Sequence, residues 1–477
     1  MSLPAAFLSE LGQGLVGRLL TDPADCWPYG YDNSRGQVLP LAVVFPESST
    51  EVQTVLRGCH RFRVPVTPRG AGTNTTGASI PDPAGIVLCL GRMNRILEMD
   101  PANRLARVEP GLTNQALQEA LEPLGFFWPP DPTSATVCTL GGNLACNAAG
   151  PRAVKYGTAR ENTLGLVAVT GTGDLIRTGV RTTKGVVGFD LTRLLIGSEG
   201  RLAVITEATL KLTPKPQARC LIRAAYRDMD AAARAVSAIM AQPVIPCALE
   251  FMDGQALTLL RRQTDLALPA NAGALLMIEI DSEPSALAGA LAAVAQAATV
   301  EGLVELRQAA DNREAAQLWA ARKALSPALR HVAPKKINED VVVPVSRMPE
   351  LIAELENLSR ETGMAIVSFG HAGNGNIHVN LLFDPRSPGA EASAQHCLER
   401  LFRTVLALGG TLSGEHGIGL AKRDFVAWEI DPVTLGYHQA IQRVFDPAQI
   451  LNPGKGLPFA LSPKSQASQA SQKPDLA

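Results

Sequence analysis

Apolar and polar positions along the chain change period several times, and the changes mark its elements. AVVF, near residue 42, is an apolar run of strand length. Ser48 and Glu51 follow at capping-box spacing, and Val52, Val55, Leu56, Cys59 and Phe62 then recur at the helical period until Val64-Pro65 ends the helix. IVLCL, from Ile86, reads as a second buried strand, and a helix over 113–124 opens on Thr113 and stops at Gly125. LGLVAVT, a GTGD turn and LIRT predict a hairpin, with LAVITEATLKL as a further strand. Past TPKPQ at 213–217 the texture shifts. Strands at 219–225 and 244–251 flank an alanine-rich helix near 229–241, and strands at 273–280 and 303–308 flank another near 285–298. Strand–helix–strand twice over predicts a ferredoxin-like sheet with helices on one face. NREAAQLWAARKALSPALR adds a helix over 313–330.

Bulk properties narrow the function classes. A chain of 477 residues holds about two to four domains, and a net charge of −1 without long runs of one sign leaves no nucleic-acid footprint. The eight cysteines, at 26, 59, 89, 138, 146, 220, 247 and 397, form no CxxC pair, which argues against an iron–sulfur or zinc-ribbon module and fits buried thiols in a reducing cytosol. MSLPAAFLSELGQGLVGRLL patterns as an amphipathic helix, not a signal peptide, and no window is apolar enough for a transmembrane span. The expectation is a cytoplasmic protein, at most peripheral to the inner membrane.

Forty-two glycines suggest close backbone approaches, and three segments concentrate them. RGAGTNTTG at 69–77 contains GxG, but Thr73, Asn74, Thr75 and Thr76 are poor helix formers and a strand follows, so the dinucleotide-fold reading fails on context. Successive N–H groups with Thr and Asn side chains suit an anion nest, for which pyrophosphate is a natural guest. Alone, the segment would be read as an ordinary Gly/Thr surface loop. It is joined by PPDPTSATVCTLGGNLACNAAGPRAVKYGT and by LLIGSEGRLAVITEATLKL.

With GGNLACNAAG at 141–150, KYGTARENTLGLVAVTGTGD, GSEG at 197–200 and NPGK at 452–455, the chain resembles the FAD-linked oxidase family of the vanillyl-alcohol oxidase/p-cresol methylhydroxylase (PCMH) type, up to about residue 457. The resemblance implies an α+β, two-domain fold, a PCMH-type FAD-binding domain plus a ferredoxin-like substrate (cap) domain. It divides the chain into 1–217, a cap at 218–410 and a segment at 411–457 returning to the flavin domain, and the low-complexity composition of 458–477 predicts a disordered tail. It also implies that FAD is held by Pro68, Arg69, Gly70, Ala71, Gly72, Thr73, Asn74, Gly77 and Ala78 of the first segment. Pro132, Thr133, Gly141, Gly142, Asn147, Gly150 and Gly157 follow from the second, and Glu199, Gly200, Ile205 and Asn452 from the rest. Covalent members attach FAD through a loop histidine. No histidine lies between residues 61 and 330, so non-covalent FAD is expected.

FGHAGNGNIHVN, at 369–380, reads as a hairpin. A loop at Gly373–Asn376 would oppose His371 and His378, with Asn376, His378 and Asn380 on one face and Ile377, Val379 and Leu381 on the other. A single pair of opposed histidines is more often a surface pair than a metal site. SGEHGIG at 413–419 adds Glu415, which completes a two-His-one-carboxylate set for a divalent metal, and His416, an imidazole suited to general-base work.

GHxGxGNxHxN followed by GEHGIG resembles the D-2-hydroxy-acid dehydrogenase branch, which includes D-2-hydroxyglutarate dehydrogenase, D-lactate dehydrogenase and the FAD subunit of glycolate oxidase. That resemblance implies metal ligands His371, His378 and Glu415 for a divalent ion, zinc in the first instance, with His416 as the base and Asn380 contacting substrate. Position 374 is Asn where many members have Asp. Arg322 and Ser326, at i,i+4, match an Arg-xxx-Thr pair of the hydroxyglutarate enzymes, and Lys336 matches a further substrate-binding lysine. The implied partners are a small-molecule 2-hydroxy acid and an electron acceptor (a protein, quinone or cytochrome), with a homodimer as the assembly to test. The rival expectations are a non-redox FAD enzyme of the alkyl-dihydroxyacetonephosphate synthase type and a flavin subunit of a glycolate-oxidase-like complex. A flavin-free metallohydrolase would leave the glycine-rich segments unexplained.

Overall fold

The computed structural model describes residues 2–263, 266 and 268–458; the tail predicted to be disordered lies outside the described residues from 459 onward. Near the N-terminus, strands Ala42–Val44, Ile86–Cys89 and Val66–Arg69 form a parallel sheet, edged by Leu19–Leu20 antiparallel. Helix Ser49–Phe62 covers it. Ser48 caps that helix by accepting from the Glu51 amide, and Arg63, at φ 55°, ends it. Its buried stripe of Val52, Val55, Leu56 and Cys59 packs on the sheet and on Phe7 of helix Ala5–Gly14. Each such side chain contributes about 1.5–3 kcal/mol on leaving water. A second, antiparallel sheet runs Ile96–Asp100, Leu105–Val108, Ala203–Lys211, Thr163–Thr170, Leu175–Gly179, and its last two strands are the predicted hairpin.

The C-terminal half is built on seven antiparallel strands. Leu303–Gln308, Ala218–Tyr226, Ala274–Ser282 and Ala248–Asp253 lie in the 4-1-3-2 order of a ferredoxin-like unit. Ala365–His371, Asn376–Phe383 and Lys335–Val342 extend the sheet. Helices Met229–Ala241, Pro284–Ala298, Met348–Thr362 and Ala390–Ala407 bury one face. The single-face expectation needs amending. Gly254–Gln263 and Asn312–Ala328 cover part of the other face, around Leu257, Leu260, Leu318 and Leu325. They are recruited there by Met252, Met277, Val367 and Phe369, the apolar positions of strands whose alternate residues face the first helical layer.

The chain then crosses back. Thr411 bridges Val342 at the edge of the large sheet, and Leu451 bridges Val66 of the parallel sheet. The Val66 amide donates to Ile450 and the Asn452 amide to the Val66 carbonyl, both at 2.8 Å. The return places loop 413–419 between the glycine-rich segments and the open part of the seven-stranded sheet.

Candidate active site

The three glycine-rich segments converge on one cavity of about 560 Å³, which continues to the histidines. Its cradle end is shaped by missing side chains. A Cβ on Gly70 would stand 2.2 Å from Thr139 Oγ1, and one on Gly141 2.6 Å from Pro110. Gly72 has φ +71° and lies against the Arg69 guanidinium, itself anchored on the Tyr31 carbonyl at 2.7 Å. Asn74 folds the loop, its Oδ1 accepting from the amides of Thr76 and Ala78 at 2.9 and 3.0 Å. Among the described residues the amides of Ala71, Gly72, Thr73 and Thr75 donate to no protein group, and the buried Thr75 hydroxyl is unpartnered. Orphan donors around a main-chain-lined hollow fit a pyrophosphate.

Most of the residues expected to hold FAD line this cavity, but four do not. Gly77, Asn147, Gly157 and Asn452 stand behind the wall. Asn147 accepts from the Thr158 hydroxyl and the Arg160 amide, while Asn452 donates to the Ala78 and Glu199 carbonyls, tying first segment to third. Glu199 does both jobs, since it lines the cavity and accepts from the amides of Ile418 and Gly419.

At the other end, the hairpin register departs from expectation. The turn is Ala372–Gly375, so His371 opposes Asn376 and His378 opposes Phe369. Gly375 decides this. It sits at φ +71° with no room for a Cβ against the Val343 carbonyl, and its own carbonyl accepts from the Val343 amide. The pairing slips by two residues, an even number, so both histidines keep the same face. They become diagonal neighbours, with ring centroids 5.1 Å apart. Ile377, Val379 and Leu381 point into the helical core as the pleat predicts.

Glu415 Oε1 stands 3.4 Å from His371 Nε2 and 3.5 Å from His378 Nε2, and one donor atom from each residue lies within 4.8 Å of the others. Ligands about 2.1 Å from one tetrahedral ion are themselves about 3.4 Å apart, so the donor set fits a zinc-sized cation. His371 Nδ1 is held by Glu250 at 2.6 Å, the outer carboxylate that such histidines use. Burial opposes charge on His371, but Glu250 and Glu415 outweigh it and hold the imidazole up at about 10. His378 has no such carboxylate on its Nδ1, and burial drives it well down. Glu415 resists its own desolvation because the histidines hold it at about 2.

His416 stacks on His378 at 5.2 Å and also lines the cavity. Its Nε2 is 3.7 Å from Glu415, and its Nδ1, otherwise unpartnered, is 3.7 Å from Asp340 Oδ1. Asp340 organises the whole loop. Its Oδ2 accepts from the amides of Gly414, Glu415 and His416 at 3.0, 2.6 and 2.9 Å, and buried Lys422 neutralises its Oδ1 at 2.6 Å.

Along the adjoining wall, Arg322 is buried over the Phe369 ring at 4.7 Å and ion-paired to Glu250 at 2.8 Å. It also lines the cavity, with Ser326 one helical turn on. Ser326 accepts from Lys336 at 3.1 Å, and Arg330 stands beside them in the wall. Asn380 is fully buried and does not line the cavity. Its amide donates to Val367 and His378 carbonyls and it accepts from Asn338, which does reach the cavity. Glu250, Asp340 and Lys422 escaped the sequence reading. A signal existed for Glu250, whose carboxylate alternates with Leu249 and Phe251 in a strand buried throughout.

Residues 40–179 match the FAD binding domain family, and residues 215–456 match the family described as FAD linked oxidases, C-terminal domain. The chain is 37% identical to the glycolate oxidase subunit GlcD of Bacillus subtilis, over 90% of this chain and 91% of that protein. It is 32% identical to D-lactate dehydrogenase of Anaerostipes hadrus (88% and 90%) and 31% identical to D-2-hydroxyglutarate dehydrogenase of Stutzerimonas stutzeri (92% and 96%). The fold superposes on substrate-bound p-cresol methylhydroxylase with TM-score 0.80 at 18% identity, covering 95% and 97% of the two chains. The chain belongs to the FAD-linked oxidase family, and it is an FAD-dependent oxidoreductase of the glycolate oxidase, D-lactate dehydrogenase and D-2-hydroxyglutarate dehydrogenase type.

Proposed function

We propose that the protein oxidises a D-2-hydroxy acid to the 2-oxo acid, with a preference for acids carrying a second anionic or polar group. The observation that carries this reading is the single cavity joining the glycine cradle to the histidine corner along a cationic wall. Its flavin domain is residues 1–217 with 411–457, and its cap is 218–410. Non-covalent FAD in the cradle supplies the hydride acceptor. A divalent ion, zinc in our reading, held by His371, His378 and Glu415 would supply Lewis acidity toward the hydroxyl oxygen.

The chain's own groups do the rest. His416 takes the hydroxyl proton on Nε2, and the Asp340 carboxylate near Nδ1 stabilises the resulting imidazolium. Lys336 and Arg330 have no carboxylate partner among the described residues, so they are available to a substrate anion. Arg322, held by Glu250, presents its remaining edge and rigidifies the wall. The relative's designation as a subunit supports a protein acceptor for the electrons, with quinone or cytochrome beyond it. The described residues include no helix long and apolar enough to cross a membrane, so any inner-membrane attachment is peripheral in this reading.

Anaerobic mixing with a panel of D- and L-2-hydroxy acids, with and without a chelator, tests the scheme. The flavin should bleach with D-acids and lose that response after chelation. No bleaching by any acid sinks the dehydrogenase reading, whereas bleaching indifferent to chelator sinks only the metal.

A further inference from the structure

A second cavity of about 370 Å³ lies behind the catalytic loop. The GSEG turn separates it from the cradle, and Ser198 belongs to both walls. Thr411, Leu412, Ser413 and Ile418, the two ends of the loop carrying Glu415 and His416, form one side. Its charge balance is unusual. Arg160, Arg193, Arg201 and His438 line it with a single carboxylate, Glu429. Both oxygens of Glu429 are taken, by the Thr411 hydroxyl at 2.7 Å and the Leu412 amide at 3.0 Å.

Arg193 pairs with Asp190 at 3.5 Å. Among the described residues neither Arg160 nor Arg201 has a carboxylate in salt-bridge range. Arg160 reaches only the Ile196 carbonyl, at 3.4 Å, and its Nε is buried without a partner. Arg201 donates only to Ser198, in its own turn, at 3.2 Å. The chain also makes room for Arg201, since a Cβ on Gly456 would stand 2.4 Å from its Cζ. Glu161 and Glu199 act on Arg160 and Arg201 only from beyond salt-bridge range, so both guanidiniums are open to an anion that pairs with them directly. The remaining wall is apolar, with Leu194, Leu202, Val426, Ile430 and Ile441.

We infer that this second cavity is a binding site for a small organic anion, a carboxylate or phosphate on an apolar body, gripped by Arg160 and Arg201. The FAD-loaded protein is titrated with sodium octanoate, phenyl phosphate and inorganic phosphate, followed by calorimetry and by the thermal midpoint. Octanoate or phenyl phosphate should bind saturably and raise the midpoint, and inorganic phosphate should bind at least tenfold more weakly.

Arg201→Met should weaken that binding by about tenfold to a hundredfold. Arg160→Met serves as the second variant and should weaken binding similarly. Absence of saturable binding by all three probes overturns the inference, as does binding unchanged in both variants. Inorganic phosphate binding as tightly as phenyl phosphate overturns its apolar half.

Discussion

The two ends of the main cavity are built on opposite principles. The cradle is made of backbone, with glycines and orphan amides shaping a hollow in which few side chains act. The histidine corner is made of side chains from distant parts of the chain, several of them fixed by a buried partner of opposite charge, as His371 and Arg322 are by Glu250 and Lys422 by Asp340. A cradle fails when something is added to it. A corner fails when something is taken away, because the partner left behind is buried and uncompensated.

The largest effect should come from filling the cradle. Gly70→Val puts branched carbon where even a Cβ is 2.2 Å from Thr139 Oγ1, and the purified protein should be colourless by flavin absorbance. The milder Gly70→Ala should regain flavin when combined with Thr139→Ala, which removes that hydroxyl. If Gly70→Val stays fully yellow, the cradle is misplaced.

Emptying the corner should leave the protein yellow and slow. His416→Asn should cut the rate of anaerobic flavin bleaching by about 10²–10⁴-fold at unchanged flavin content. A rate within a factor of three of wild type would remove His416 from the base role. Glu250→Gln and Asp340→Asn are one step removed, acting through His371 and through loop 414–416. Each should lower metal affinity or turnover by about 10–100-fold, read by zinc titration of the chelated protein and by kcat. Equal effects on a substrate-independent readout such as the unfolding midpoint, with zinc affinity intact, would reduce both residues to structural ties.

How far the chain could be read follows the same division. The glycine segments carry their message locally, since GxG spacing and the absence of side chains are visible without a fold. The helix at 49–62 and the hairpin at 163–179 were equally legible, because period and turn residues specify them. At the corner only the residues within motifs were visible. Glu250, Asp340 and Lys422 sit in stretches whose local pattern is that of an ordinary strand or turn, and their roles exist only once the fold brings Glu250 to His371, 121 residues on, and Lys422 back to Asp340, 82 residues away. The hairpin register was misjudged for a related reason. Gly375 answers to Val343, just past the end of a strand more than thirty residues away, and not to its own loop. The burial of Arg322 is likewise invisible from its own helix, because Glu250 and the Phe369 ring that hold it lie on other strands.

The smallest expected effect concerns the cationic wall, where both principles meet. Lys336 is half-buried, and among the described residues its ammonium donates to Ser326 alone. Burial, then the positive charges of Arg35 and Arg330, pull its ammonium down to about 8. A lysine lowered in this way is charged below about pH 8 and neutral above it, so its attraction for a substrate anion must fade as pH rises through that value. KM for D-2-hydroxyglutarate should therefore climb between pH 7 and 9 more steeply than KM for glycolate, which has no second carboxylate. Lys336→Met should raise the former about tenfold, a loss of about 1.4 kcal/mol, and flatten that pH dependence. Because the lysine leaves the cradle and the metal ligands untouched, kcat should change little. If both acids lose affinity alike, the wall reads the carboxylate common to all 2-hydroxy acids, and the preference for a second anion falls with it.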